Sequence, residues 1–109
     1  MLRGMTVLSD AEFEEWSGWF KCLADPTRLR ILHHLAGLND PATVGSIVDN
    51  LGLTQSNVSH HLSVLESQKF VIREVIGVRT LVSVNPLCMD ELPDAARKIM
   101  RPSARRLMD

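Results

Sequence analysis

Residues 54–62 read TQSNVSHHL, a polar stretch with two adjacent histidines in the middle of an otherwise apolar part of the chain. Two chemistries suit such side chains. Imidazoles can ligate Zn²⁺ or Ni²⁺. Hydroxyls and amides can approach phosphates and base edges, and Gln or Asn can pair doubly with adenine. Spacing separates the two. Neighbouring residues on a helix point about 100° apart, so His60 with His61, or His33 with His34, cannot easily share one ion. Val58, Leu62 and Leu65 fall together on one side of a helix. That leaves Gln55, Ser56, Ser59, His60 and Ser63 largely outward, with Asn57 and His61 nearer the flank. No residue from Thr54 to Leu65 carries a formal charge. Freely solvated helix faces usually carry Lys and Glu, so this one reads as a surface for close contact with DNA.

Other chemistry finds little support. The chain has no phosphate-binding loop, nucleophile motif or acidic pair in a convincing setting, so it is not expected to be an enzyme. Metal donors are scattered. Cys22, His33, His34, Cys88 and Asp90 are the candidates, and they would meet only across helices or across two chains. Ni²⁺ or Zn²⁺ fits that supply better than a soft ion. The two cysteines lie far apart in sequence and are expected to be thiols.

The elements that position these residues follow from periodicity and punctuation. With 109 residues the chain suits one domain, 1–109. Phe13, Trp16, Phe20 and Leu23 mark one face of a first helix, capped by Ser9 or Asp10. Asp25-Pro26 starts a second, ending near Gly37. Thr43 caps a third, burying Val44, Ile47, Val48 and Leu51 and stopping at Gly52. Thr54 caps a fourth, Gln55 to about Gln68. FVIREVI and RTLVSVN read as strands joined at Gly77-Val78. A last helix is expected from about Asp90 to Met100, with Pro93 in its first turn, an apolar side of Leu92, Ala96, Ile99 and Met100, and Pro102 as its stop. The fold class is mainly α: a winged helix-turn-helix of order α-α-α-α-β-β-α. The hairpin must lean on the helices, because alone it would be marginal.

The net charge of −1 is distributed unevenly. The first helix is acidic, the hairpin carries Lys69, Arg73 and Arg79 against Glu74, and the tail holds Arg97, Lys98, Arg101, Arg105 and Arg106. A near-neutral chain can still present a positive face. No apolar run is long enough to span a bilayer, and MLRGMTVLSDAEF lacks the features of a signal peptide, so a cytoplasmic location without membrane attachment is expected.

ADPTRLRIL (Ala24–Leu32), LGLTQSNVSHHLSVLE (Leu51–Glu66) and the hairpin with Gly77 and Arg79 resemble the ArsR/SmtB family of bacterial transcriptional repressors. The resemblance implies a dimeric winged helix on double-stranded operator DNA, a homodimer on a pseudo-palindrome. It assigns DNA contact to Gln55, Ser56, Ser59, His60 and Arg79, and the pattern extends this to Thr54, Asn57, Ser63 and Arg73. It places the dimer interface on the first and last helices, here Phe13, Trp16, Trp19, Phe20, Leu92, Ala96 and Ile99. Arg28 is expected to brace helix packing and Arg30 to reach a phosphate. Many relatives release DNA when a metal binds. This chain departs from them: ATVGSIVDNLG has no cysteine, and NPLCMDELPDAARKIM has no histidine. An effector sensed by a partner protein, or thiol oxidation at Cys22 or Cys88, stands beside the metal reading. A winged-helix docking module that binds protein rather than DNA is the alternative from another class.

Overall fold

The computed structural model describes residues 7–101. The expected stop at Pro102 and the tail arginines Arg105 and Arg106 lie outside the described residues. The elements run α1 (Asp10–Leu23), α2 (Pro26–Ala36), β1 (Ala42–Thr43), α3 (Val44–Leu51), α4 (Gln55–Ser67), β2 (Val71–Ile76), β3 (Arg79–Val84) and α5 (Cys88–Met100). This is the winged helix-turn-helix expected, with one additional element.

Local chemistry starts each of the first four helices. Ser9 Oγ accepts from Glu12 N at 3.1 Å while Glu12 Oε1 accepts from Ser9 N at 2.9 Å, a reciprocal capping box. Asp25 Oδ1 accepts from Thr27 N and Arg28 N, with Pro26 at the first helical position. Thr43 Oγ1 takes Ser46 N, and Thr54 Oγ1 takes Asn57 N. Each cap satisfies donors that helix geometry leaves unpaired.

The additional element is β1. It leaves no period in the sequence, because it is two residues long. It pairs antiparallel with β3, Ala42 opposite Val82 and Thr43 opposite Leu81. The sheet order is therefore β1-β3-β2. Ile76 opposite Arg79 confines the wing tip to Gly77 and Val78, and Gly77 adopts φ +63°. Glycine at the first of two loop positions suits the twist of a tight hairpin.

α5 starts earlier than expected. Asn85 Oδ1 accepts from Leu87 N, and the N–H groups of Cys88, Met89 and Asp90 donate to carbonyls three residues back. This tight turn leads directly into the helix. Pro93 consequently lies inside α5 rather than in its first turn. The apolar side also shifts. Ala95 is its buried residue, Leu92 packs against the core, and Ile99 and Met100 are exposed.

Ile31, Ile47, Val58, Leu62, Leu65 and Val82 are fully buried. They come from α2, α3, α4 and β3, so α4 and the β2–β3 hairpin that forms the wing share one core. Each such side chain contributes roughly 1.5–3 kcal/mol by burial.

α3 and α4 end with the same geometry on different residues. Gly52 adopts φ +65°, and Leu53 N donates to Val48 O at 3.2 Å. Lys69 adopts φ +64°, Phe70 N donates to Leu65 O at 2.9 Å, and Lys69 N donates to Glu66 O. Both are Schellman-type ends, which favour glycine at the left-handed position. Replacing Lys69 with Gly is expected to raise stability by about 1 kcal/mol, and Gly52→Ala to lower it by about 1–2 kcal/mol. Urea denaturation of the two variants checks both signs.

Candidate nucleic-acid interface

The outward side of α4 carries Gln55, Ser56, Asn57, His60 and Ser63 exposed, with Ser59 half-buried. Thr54 is exposed and holds the cap, its Oγ1 also 3.5 Å from Ser56 Oγ. The positive end of the helix dipole thus emerges among small hydroxyls, a setting that favours phosphate.

The wing stands beside this helix and is tied to it. Arg73 Nε donates to Glu66 Oε1 at 3.1 Å, and Arg73 Nη2 donates to Ser63 Oγ at 3.0 Å. Ser63 Oγ in turn donates to Ser59 O at 3.0 Å. Ser63 and Arg73, also expected at the DNA face, bond to each other and tie the wing to α4. Arg79, at the start of β3, is exposed and free of such bonds among the described residues. Between wing and helix lies an open cleft of about 500 Å³, lined by Gln55 and Ser59, by Arg73, Val78, Arg79 and Thr80, and by Thr43, Val44 and Gly45 at the start of α3. Sequence reasoning missed the last three, Val78 and Thr80 as lining residues. Val78 and Thr80 are placed by the β2–β3 hairpin, whereas Thr43 is drawn beside β3 by β1, whose two residues leave no readable signal, and Val44 and Gly45 follow it.

A second tie holds α4 from the opposite flank. Arg28 Nε donates to Cys22 O at 2.6 Å, and Arg28 Nη1 lies 3.1 Å from His61 Nδ1 and 3.8 Å from Asp25 Oδ2. Guanidinium only donates, so His61 must accept through a neutral Nδ1. Burial holds the His61 pKa below its usual value; Asp25 opposes this, while Arg28 and His60 reinforce it. Arg28 is thus a brace, as expected. Arg30 Nη2 donates to Leu51 O at 3.1 Å, so this arginine closes the end of α3.

The expected dimer face divides. Phe13, Phe20 and Ile99 are 46%, 40% and 41% exposed and border one apolar groove with Trp16. Phe13 and Trp16 meet edge to face at 6.3 Å. Trp16 is nevertheless buried within its own chain, Trp19 and Leu92 pack against the main core, and Ala96 is half-buried. α1 carries apolar residues on two sides, and only one side is left uncovered.

The expected metal donors do not converge. Among the described residues no group of three or more His, Cys, Asp or Glu gathers where it could hold an ion. Cys22 is buried with Sγ 3.8 Å from Val64 O, and Cys88 Sγ donates to Asn85 O at 2.9 Å. Burial pushes both thiols above their usual pKa, which disfavours the thiolate a metal needs. His33 and Asp90 are exposed, and His34 Nε2 is buried without a partner. These residues do not fit a metal site within one chain.

A family model described as "Bacterial regulatory protein, arsR family" matches residues 25–73. The HTH-type transcriptional regulator CmtR of Mycobacterium tuberculosis is 48% identical over 57 residues, covering 52% of this chain and 47% of that protein. The chain thus matches about half the length of that relative. The transcriptional repressor SdpR of Bacillus subtilis is 35% identical over 72 residues, 66% of this chain and 78% of SdpR. Among solved structures, a homodimeric winged helix-turn-helix DNA-binding domain from Mycobacterium bovis aligns with TM-score 0.64 at 27% identity, covering 85% of this chain and 82% of that one. Among the described residues no helix is long and apolar enough to cross a membrane.

The Arg28–His61 tie has a pH signature. Because the folded pKa of His61 is depressed, the folded state binds fewer protons than the unfolded state below about pH 6.5. The contribution is therefore complete above that pH and is lost as pH falls through the folded value. His61→Gln retains an acceptor for Arg28 without titrating. It is expected to lose less stability than the wild type between about pH 6.5 and 5, as measured by urea denaturation across that range. Parallel losses in the two proteins would remove His61 from the account.

Proposed function

Because the chain belongs to the arsR family of bacterial regulatory proteins, we propose that it is a homodimeric transcriptional repressor that reads a pseudo-palindromic operator and blocks transcription by occupying it. The observation that carries this reading is the uncharged, hydrogen-bonding side of α4 set beside the exposed Arg79 across one open cleft. Gln55, Ser56, Asn57 and His60 supply base-edge and phosphate contacts from the first turns of the helix. Thr54 and Ser59 line its approach, while Ser63 and Arg73 hold the wing at its working distance. Arg79 contacts phosphate or the minor groove. Two copies place their recognition helices about one helical turn, roughly 34 Å, apart.

The dimer seam is the groove of Phe13, Phe20 and Ile99, which isolated chains leave wet. The homodimeric relative supports the same state here. Ni²⁺ or Zn²⁺ as effector would require ligands from two chains, since the donors of one chain stand apart. Docking to another protein is the competing use of an uncharged helix face; Arg79 beside it favours nucleic acid.

Fluorescence anisotropy on the chain's own promoter DNA, with and without a chelator, tests the reading. Gln55→Ala or Ser56→Ala is expected to weaken operator binding by about 1–3 kcal/mol with little effect on random DNA. Arg79→Ala is expected to weaken both and flatten the salt dependence. Unchanged operator affinity in all three variants would show that this face does not read DNA. Separately, Phe20→Glu is expected to convert a dimer to monomers in sedimentation experiments while leaving the fold intact, because Phe20 is outside the core.

A further inference from the structure

A second cavity, of about 400 Å³, lies between α1, the turn after α4 and the start of α5. Its size falls within the range of small-molecule sites. Its walls include Trp19, Phe70 and Leu92, all packed on the core. Three formal charges stand around them: Glu15 from α1, Lys69 from the turn and Glu91 from α5. The ion pairs among the described residues are Arg28–Asp25, Arg73–Glu66 and Lys98–Asp94. None of the three cavity charges is paired in this way, and all three residues stand exposed at the rim. The neighbouring Asn85 amide is turned toward the backbone, its Nδ2 donating to Lys69 O and its Oδ1 accepting from Leu87 N. An apolar floor with unpaired charges at its solvent-facing rim suits an amphipathic ion, whose body the floor covers and whose charged head stays at the rim. Two carboxylates against one ammonium make the rim net negative, and the Trp19 indole adds an aromatic face that attracts cations.

We propose that this cavity binds a small organic amine, apolar or aromatic in body and cationic at neutral pH, and that its occupancy regulates DNA binding. Glu15 and Glu91 hold the ammonium, and the body lies on Trp19, Phe70 and Leu92. Lys69 opposes the cation and limits affinity. The regulatory half rests on the repressor reading; the binding half does not. Coupling follows from position. One wall is the turn after α4, where Lys69 is held at φ +64°. The others are α1 and α5, which also carry the exposed Phe13, Phe20 and Ile99. Gly18 admits the Gln68 side chain against α1, where an added Cβ would meet Gln68 Oε1 at 3.1 Å. A molecule in the cavity therefore touches both the end of the recognition helix and the helices of the proposed seam.

Calorimetry of the full chain with phenethylamine tests binding in the absence of DNA, with 2-phenylethanol and phenylacetate as the neutral and anionic counterparts. One-site binding of the amine alone is expected, weakened about tenfold by Glu15→Gln or Glu91→Gln and tightened by Lys69→Gly. No saturation at millimolar amine, equal binding of the alcohol, or unchanged binding in both glutamine variants would overturn the site. Operator affinity is then measured with and without amine. A several-fold shift in the wild type that is lost in Glu91→Gln supports regulation. An amine that binds while operator affinity stays constant overturns the regulatory half. A chain that binds amine but no DNA keeps the cavity and refutes the repressor reading.

Discussion

The burial of Val58, Leu62 and Leu65 sets the rotation of α4, and most of the functional surface depends on that rotation. All three side chains are fully removed from solvent. Turning the helix by one residue, about 100°, would drive polar groups such as Ser59 or His61 into the core without partners. The apolar stripe therefore decides which hydroxyls and amides face outward. Two polar ties then hold the helix on either flank, Arg28 with His61 on one side and Arg73 with Ser63 and Glu66 on the other.

Those ties also explain the charge economy of a chain with a net charge of −1. Arg28, Arg30 and Arg73 each satisfy an internal acceptor. Among the described residues, what remains near the cleft is one exposed arginine on the wing and an uncharged helix face. Such a surface relies on short-range hydrogen bonds more than on long-range steering. Attraction of the cleft itself to phosphate should be correspondingly local, because one arginine displaces few counterions.

Much of this architecture was legible in the sequence, for identifiable reasons. Ser9, Asp25, Thr43 and Thr54 announce helix starts through side-chain chemistry that depends on neighbours a few residues away. The period of Val58, Leu62 and Leu65 fixes a helix face without tertiary information. Legibility failed where distant segments decide. β1 exists only through its partner β3. Trp19 and Leu92 fill the core although their spacing suits a seam equally well. Arg73 and Ser63 have the right chemistry for DNA, and only the folded distance shows that each already has a partner. The left-handed Lys69 was invisible because nothing about lysine announces such a backbone.

Thr43 belongs to two structures at once. Its backbone pairs with Leu81 in the wing, and its side chain caps α3. Together with the Arg73 bonds, this ties the wing to the helix-turn-helix at two places, and those contacts set the gap between α4 and the wing tip. A duplex gripped by such a caliper must supply the adjustment itself. Sequences that bend or narrow a groove at low cost would be preferred even at base pairs no side chain reaches, so part of the specificity of the proposed repressor would reside in the mechanics of the DNA.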